Sequence, residues 1–202
     1  MSLLTETIVH LLITIGGVGI AVLLGIPLGI LISKKTRLAA PIMTIADIIQ
    51  TVPSLAMLSL LMILFGLGNT TVIIGLCLYS LLPVIRNTFT GITEVSPAVR
   101  EAAHGMGMNL WQSLAWVELP LASPMIFSGI RIAFVQGLGT AVIGVLIGAG
   151  GLGGVIYGGI QQQDWGMIME GTIPVVLLSL LAQMLFNRIQ HSGKKRRKKN
   201  AS

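Results

Sequence analysis

Charge is what this sequence has least of. Asp, Glu, Lys and Arg make up 10% of its 202 residues, against about 25% in an ordinary soluble domain. With 53% of the residues hydrophobic, that scarcity excludes a water-soluble domain and leaves an integral membrane protein. Acids are scarcer than bases, seven against thirteen, and the run "KKRRKK" at Lys194 to Lys199 supplies six of the cations. The rest of the chain is therefore neutral. Such a basic run reads as a cytoplasmic anchor beside a membrane span and anionic head groups; no other basic face supports nucleic-acid binding. A single cysteine, Cys77, excludes an internal disulfide, and its apolar neighbours make it a buried thiol. His10 and His191 stand at expected span ends without ligand-type neighbours and read as bystanders. No G-x4-G-K-[ST] segment occurs, so this chain does not hydrolyse ATP.

What the sequence does have is long uncharged runs. Thr7 to Ser33 is free of charge over 27 residues, and a membrane helix needs about 20. A cleaved signal peptide would be shorter and preceded by Lys or Arg, whereas Lys34, Lys35 and Arg37 follow this run. Ile48 to Ile85 is uncharged over 38 residues and is interrupted by "GLGN" at Gly66 to Asn69. That gives a second span at about Pro41 to Leu67, bent at Pro53, and a third at about Thr70 to Thr90. A fourth is expected at about Ser123 to Ile147, with Arg131 snorkelling to the interface, and a fifth at about Met167 to Phe186. Five spans put the termini on opposite sides. Lys34, Lys35, Arg37, Arg86, Arg100 and the tail all fall on one side, which the positive-inside rule makes cytoplasmic. The expected topology is N-out, C-in.

"GAGGLG" at Gly148 to Gly153 spells a dinucleotide fingerprint, G-x-G-x-x-G. That motif works only between a strand and a helix, and here it follows a membrane helix. Eight glycines between Gly144 and Gly159 instead imply close helix packing or a non-helical loop shielded from lipid, as at a dimer interface beside a translocation path.

Between spans three and four lies a polar island on the cytoplasmic side. Ser96-Pro97 reads as an N-cap with proline at the first helical position, helix continues through His104, and Gly105 and Gly107 end it. A second short helix at roughly Asn109 to Val117 places Leu110, Leu114 and Val117 on one face and stops before Pro120. The layout is that of a helix-turn-helix, but Glu94 to Glu118 holds three acids and one Arg, the wrong sign for phosphate. From pattern alone, an inert packed loop is as good a reading as any.

The island's residues narrow that choice. Glu101-Ala102-Ala103, three residues, Gly107, nine residues, then Val117-Glu118-Leu119-Pro120 resembles the EAA motif, EAA-x3-G-x9-I-x-LP, of ATP-binding cassette (ABC) importer permeases, with Val for Ile. "QTVPSLAMLSLLM" from Gln50, "LLPVIRNTFTGI" from Leu81, "EAAHGMGM" from Glu101 and "IGAGGLGGVIYGGI" from Ile147 are similar to permeases of osmoprotectant importers for glycine betaine, carnitine or choline, over nearly the whole chain. His104 stands where those relatives often carry Arg. Permeases of methionine importers share the five-span plan and a glycine-rich segment.

The resemblance implies an all-α, type I importer-like membrane protein of the bacterial cell membrane. It implies a permease domain at 1–190, a cytoplasmic two-helix coupling loop at about 94–120 and a basic tail at 191–202. Glu101, Ala102, Ala103, Gly107, Val117, Leu119 and Pro120 would meet an ATPase subunit, present in two copies and carrying ATP and Mg, and this chain would hold no cofactor and perform no catalysis. A second permease subunit, identical or related, and an extracytoplasmic solute-binding protein or lipoprotein complete the assembly. Polar side chains on otherwise apolar helices, Gln50, Thr51, Ser54, Gln136 and Thr140, are expected to line a wet path, with interhelical hydrogen bonding as the equal alternative. Tyr79, Phe89 and Trp165 fit span packing or interfacial anchoring better than a cage for a quaternary ammonium. A secondary transporter is the rival class, but no internal repeat appears and the acids cluster at span ends.

Overall fold

Small residues recur every fourth position along the first helix, and they set how the bundle packs. In the computed structural model, which describes residues 2–199 with side chains through Gln190, helix α1 spans Leu3–Lys34 and α4 spans Asn69–Thr93. Gly17, Ala21, Gly25 and Gly29 of α1 are all buried. A Cβ on Gly17 would lie 2.5 Å from Leu76 Cβ, one on Gly25 2.8 Å from Val84 Cγ1, and one on Gly29 2.6 Å from Thr88 Cβ. In lipid, apolar area alone does not drive helices together, so this close approach and the dispersion it allows hold the pair. Helix α7, Leu119–Ala141, completes the core: a Cβ on Gly129 would stand 2.6 Å from the Pro83 carbonyl oxygen. Three apolar clusters stack along this trio: one around Ile13, Leu58 and Leu76, one around Val18, Val84 and Ala133, and one around Ile92, Ala122 and Ile126.

The second span is broken rather than bent. Helices α2, Ala39–Thr51, and α3, Ser54–Phe65, meet at 98° across Val52 and Pro53. Pro53 lacks an N–H and forces Val52 into extended backbone (φ −67°, ψ 127°). Tyr79 of α4 secures the break from both sides: its hydroxyl donates to the Val52 carbonyl, and its own carbonyl accepts from Gln50 Nε2 at 2.8 Å. The pair still carries the chain across the bundle. Its entry is the Lys34 end of α1, which is ion-paired to Glu118, while just after α3 the Gly68 amide donates to the Ile147 carbonyl at 2.9 Å. Glu118 and Ile147 bound opposite ends of the fourth span, so the helices make five crossings. Thr70 to Thr90, expected as the third, lies within α4.

The polar island does not stop before Pro120. After α5, Pro97–Gly105, helix α6 at Leu110–Ser113 passes into a π turn at Leu114–Glu118 and directly into α7. In that turn the Leu119 amide reaches back five residues to the Leu114 carbonyl. A proline normally ends an α-helix because its ring collides with the carbonyl four residues back. The wider π turn relieves that collision and Pro120 sits in the first turn of α7. Island and fourth span are thus one rod from Leu110 to Ile147, its last turn, Val142–Ile147, being a 3-10 helix.

The glycine-rich segment is a loop followed by a helix. Gly148 and Gly151 take left-handed φ of +75° and +101°, and helix α8 follows at Leu152–Gln162. No strand is present among the described residues, which removes the dinucleotide reading. The Gly151 amide donates to Glu6 Oε2 at 2.8 Å and the Gly150 amide to Asn69 Oδ1 at 2.9 Å, so the starts of α1 and α4 hold the loop. His10 is no bystander: it is fully buried inside α1, bonded through Nε2 to the Leu138 carbonyl at 3.0 Å, with Gly151 against its backbone. The final helix, α9, runs Trp165–Lys199 and crosses over Trp165–Gln190. Arg131 is half-buried and lines a cavity with Glu94 and Ser96, and its guanidinium donates to Asn187 of α9 and to Ser128. His191 and the rest of the basic tail lie outside the residues whose side chains are described.

Candidate coupling site and translocation path

Helix α5 begins where expected, with Pro97 at its first turn, although the Ser96 side chain makes no cap bond. Its end is a corner built by backbone: the Met106 amide donates to the Ala102 carbonyl at 3.0 Å, Gly107 to His104 at 2.9 Å and Met108 to Ala103 at 3.1 Å. Gly107 takes φ +82°, the left-handed region that a side chain disfavours. Asn109 then opens α6 with a reciprocal capping box, in which the Gln112 amide donates to Asn109 Oδ1 and the Asn109 amide to Gln112 Oε1, both at 2.9 Å.

Around this corner the motif residues divide. Glu101, Ala102, Gly107 and Pro120 are exposed, Val117 and Leu119 are half-buried, and Ala103 is buried within the chain. Of the two alanines, only Ala102 is left to meet a partner. The expected apolar face is not uniformly covered: Leu114 is buried while Leu110, at the free first turn of α6, is 70% exposed. Trp111 and Trp116 are 78% and 67% exposed, and Met106, at the corner, is exposed as well. Exposed Trp and Met side chains in one short loop are residue types enriched in protein–protein contacts.

Sequence reasoning passed over Glu118, the variable position inside V-E-L-P. It is 2% exposed, and Lys34 Nζ donates to its Oε1 and Oε2 at 2.7 and 2.8 Å. Arg100 Nε lies 3.5 Å from Oε2, an electrostatic contact without hydrogen-bond geometry, and the Arg100 guanidinium also donates to the Ile92 carbonyl. A lone acid among apolar residues is the signal that could have found it.

The polar residues expected on a path fall into two groups. Gln50, Thr51 and Ser54 gather at the break between α2 and α3, where Gln50 is committed to Tyr79 and the Thr51 hydroxyl to the Ile48 carbonyl at 2.7 Å. Gln136 and Thr140 lie one turn apart on α7, Gln136 exposed and Thr140 half-buried. No hydrogen bond among the described residues joins the two groups. Asp47, near the same break, pairs with Arg86 at 2.7 Å, both about half exposed.

A bundle with four helices long and apolar enough to cross a membrane, five when the broken pair is counted as one span, is the architecture of a multi-pass membrane protein. Residues 21–199 match the family described as the binding-protein-dependent transport system inner membrane component, and the chain belongs to it: it is a permease subunit of an ABC importer, serving translocation rather than catalysis. It is 45% identical over 184 residues to the carnitine transport permease protein OpuCD of Listeria monocytogenes, covering 91% of this chain and 82% of that one. It is 44% identical over 184 residues to the glycine betaine/carnitine/choline transport system permease protein OpuCD of Bacillus subtilis, covering 91% and 80%. Among solved structures, an inward-facing conformation of the MetNI methionine ABC transporter superposes with a TM-score of 0.84 at 22% identity, covering 96% of this chain and 99% of that one. At that identity the likeness speaks for the fold alone.

Proposed function

We propose that this permease carries a compatible solute of the glycine betaine, carnitine or choline type into a bacterial cell. The observation that carries the reading is the 44–45% identity, across nine-tenths of the chain, to permeases named for those solutes; methionine is favoured only by a fold neighbour of low identity. The end holding Lys34, Arg100 and the α5–α6 corner faces the cytoplasm, following the positive-inside rule. There the exposed face of Glu101, Ala102, Trp111 and Trp116 docks an ATPase subunit, one of two, which holds the ATP and Mg. The opposite end, with Glu6, the Gly66 to Asn69 turn and Asp164, receives a loaded solute-binding protein. A second permease subunit, identical or related, completes the path, lined in part by Thr51, Ser54, Gln136 and Thr140.

The test is uptake by the complex reconstituted in vesicles with ATPase and binding protein, using labelled glycine betaine, carnitine, choline and methionine. Uptake of one of the first three, dependent on ATP, is expected. Methionine as sole substrate, or uptake without ATP, refutes the reading. Bulky replacements at Ser54 and Thr140 should lower uptake in an assembled complex; unchanged uptake removes them from the path.

A further inference from the structure

The inner end of the bundle holds a carboxylate that the coupling motif does not require. Glu118 closes the π turn, and its partners come from three other places: Lys34 at the end of α1, Arg100 in α5, and Ser113 in α6, whose hydroxyl donates to Oε1 at 3.5 Å. It is the one carboxylate among the described residues that is buried. A buried charge is costly unless paired, and a neutral side chain of the same size would fill the space as well. The charge gains its value from what it connects: the coupling loop, the first span and the rod that becomes the fourth. Toward the opposite end, α1 is fixed to the same rod through His10 on the Leu138 carbonyl, and to the glycine loop that follows the rod through Glu6 on the Gly151 amide. Span one is therefore held to span four at both ends, and the inner attachment is the ion pair.

We propose that Glu118 is a positioning residue for energy coupling. It clasps the coupling loop to Lys34, so that displacement of the loop moves α1 and α7 as one body. The idea rests on the loop being the ATPase-docking surface, yet it makes a separate demand: cutting the clasp should spare docking and lose transmission. Lys34 is the better residue to cut. Its side chain is 37% exposed, and its loss leaves Glu118 paired with Arg100, whereas loss of Glu118 leaves two cations facing each other.

The experiment uses the complete complex in vesicles and four variants: Lys34→Met, Lys34→Arg, Glu118→Gln and the Lys34→Met/Glu118→Gln double. Three readouts are taken: ATPase co-purification, hydrolysis stimulated by loaded binding protein, and solute moved per ATP. Lys34→Met should retain the ATPase while solute moved per ATP falls about 5-fold or more, the lower range of a coupling between sites. Lys34→Arg should restore it, because the charge and reach return. The double variant should be no worse than Glu118→Gln alone, since both remove one contact. Normal solute per ATP in Lys34→Met, failure of Lys34→Arg to restore it, or additive losses in the double overturns the clasp. So does release of the ATPase by Lys34→Met, which would make the pair part of docking. A wild-type complex that retains no ATPase overturns the docking reading itself, a result distinct from any effect at Lys34.

Discussion

Adding one methyl group at Gly107 and the same group at Gly105 separates backbone shape from bulk in the coupling corner. A Cβ at either position meets nothing within 4 Å, so neither substitution is penalised by crowding inside the chain. They differ in backbone alone: Gly107 takes φ +82°, while Gly105 ends α5 with ordinary helical geometry. An L-residue in the left-handed region costs about 1–2 kcal/mol relative to glycine, and about 1.4 kcal/mol is tenfold in population at 25 °C. Gly107→Ala should thus lower the equilibrium constant between the native corner and its alternatives by about 5- to 30-fold, and the bonds from Gly107 to His104 and from Met108 to Ala103 should loosen with it. Gly105→Ala should be neutral, since Ala favours helix. Gly107→Asn should recover much of the loss, because Asn tolerates the left-handed region. The assay is solute uptake measured beside ATPase retention in detergent, at matched expression. Equal behaviour of the two alanine variants would refute the reasoning, as would normal uptake by Gly107→Ala.

Two further outcomes test the fold. Cysteines introduced at Ser2 and Leu67 should react with an impermeant thiol reagent from outside intact cells and one at Ser96 should not; labelling of Ser96 alone reverses the orientation. Gly29→Ala, whose new carbon would sit 2.6 Å from Thr88 Cβ and 3.0 Å from the Ile85 carbonyl oxygen, should destabilise the α1–α4 pair by about 1–3 kcal/mol, while Gly19→Ala, which meets nothing within 4 Å, should not. Thermal unfolding in detergent compares them, and equal midpoints would show that the small-residue row does not set the packing.

The features that were legible before the structure are those whose cause is local. Uncharged runs long enough to cross a bilayer located the spans, and the paired glycines after His104 located the corner, since each rests on hydropathy or on the backbone freedom of a single residue. Pro53 shows where local reading stops. The residue guarantees a disturbance, but whether the helix kinks or breaks by 98° depends on Tyr79 and Gln50, which are far apart in sequence. Pro120 misled for a related reason: the rule that proline ends a helix assumes α geometry, and the π turn ahead of it leaves no mark in composition. Arg131 and His10 seemed peripheral because their partners, Asn187 and Leu138, lie 56 and 128 residues away.

Glu118 is the instructive omission, because topology alone could have narrowed its partners. An acid flanked by Val117 and Leu119, at the foot of a membrane helix, must find a cation or lose its charge. With five crossings, span one ends on the side where span four begins. The cations available toward that side in the body of the chain are then Lys34, Lys35, Arg37, Arg86, Arg100, Arg131 and Arg188, of which Arg131 is bonded to Asn187 and Ser128. Arg86 has Asp47 within reach on the neighbouring span and is used there. Lys35 and Arg37 continue into the exposed turn toward α2, which leaves a short list: the last residue of span one, the one Arg of the island, and Arg188 at the end of span five. The first two are those that the structure brings to Glu118. Counting crossings thus constrains buried charge pairs as firmly as it constrains orientation, and it does so for residues outside any motif.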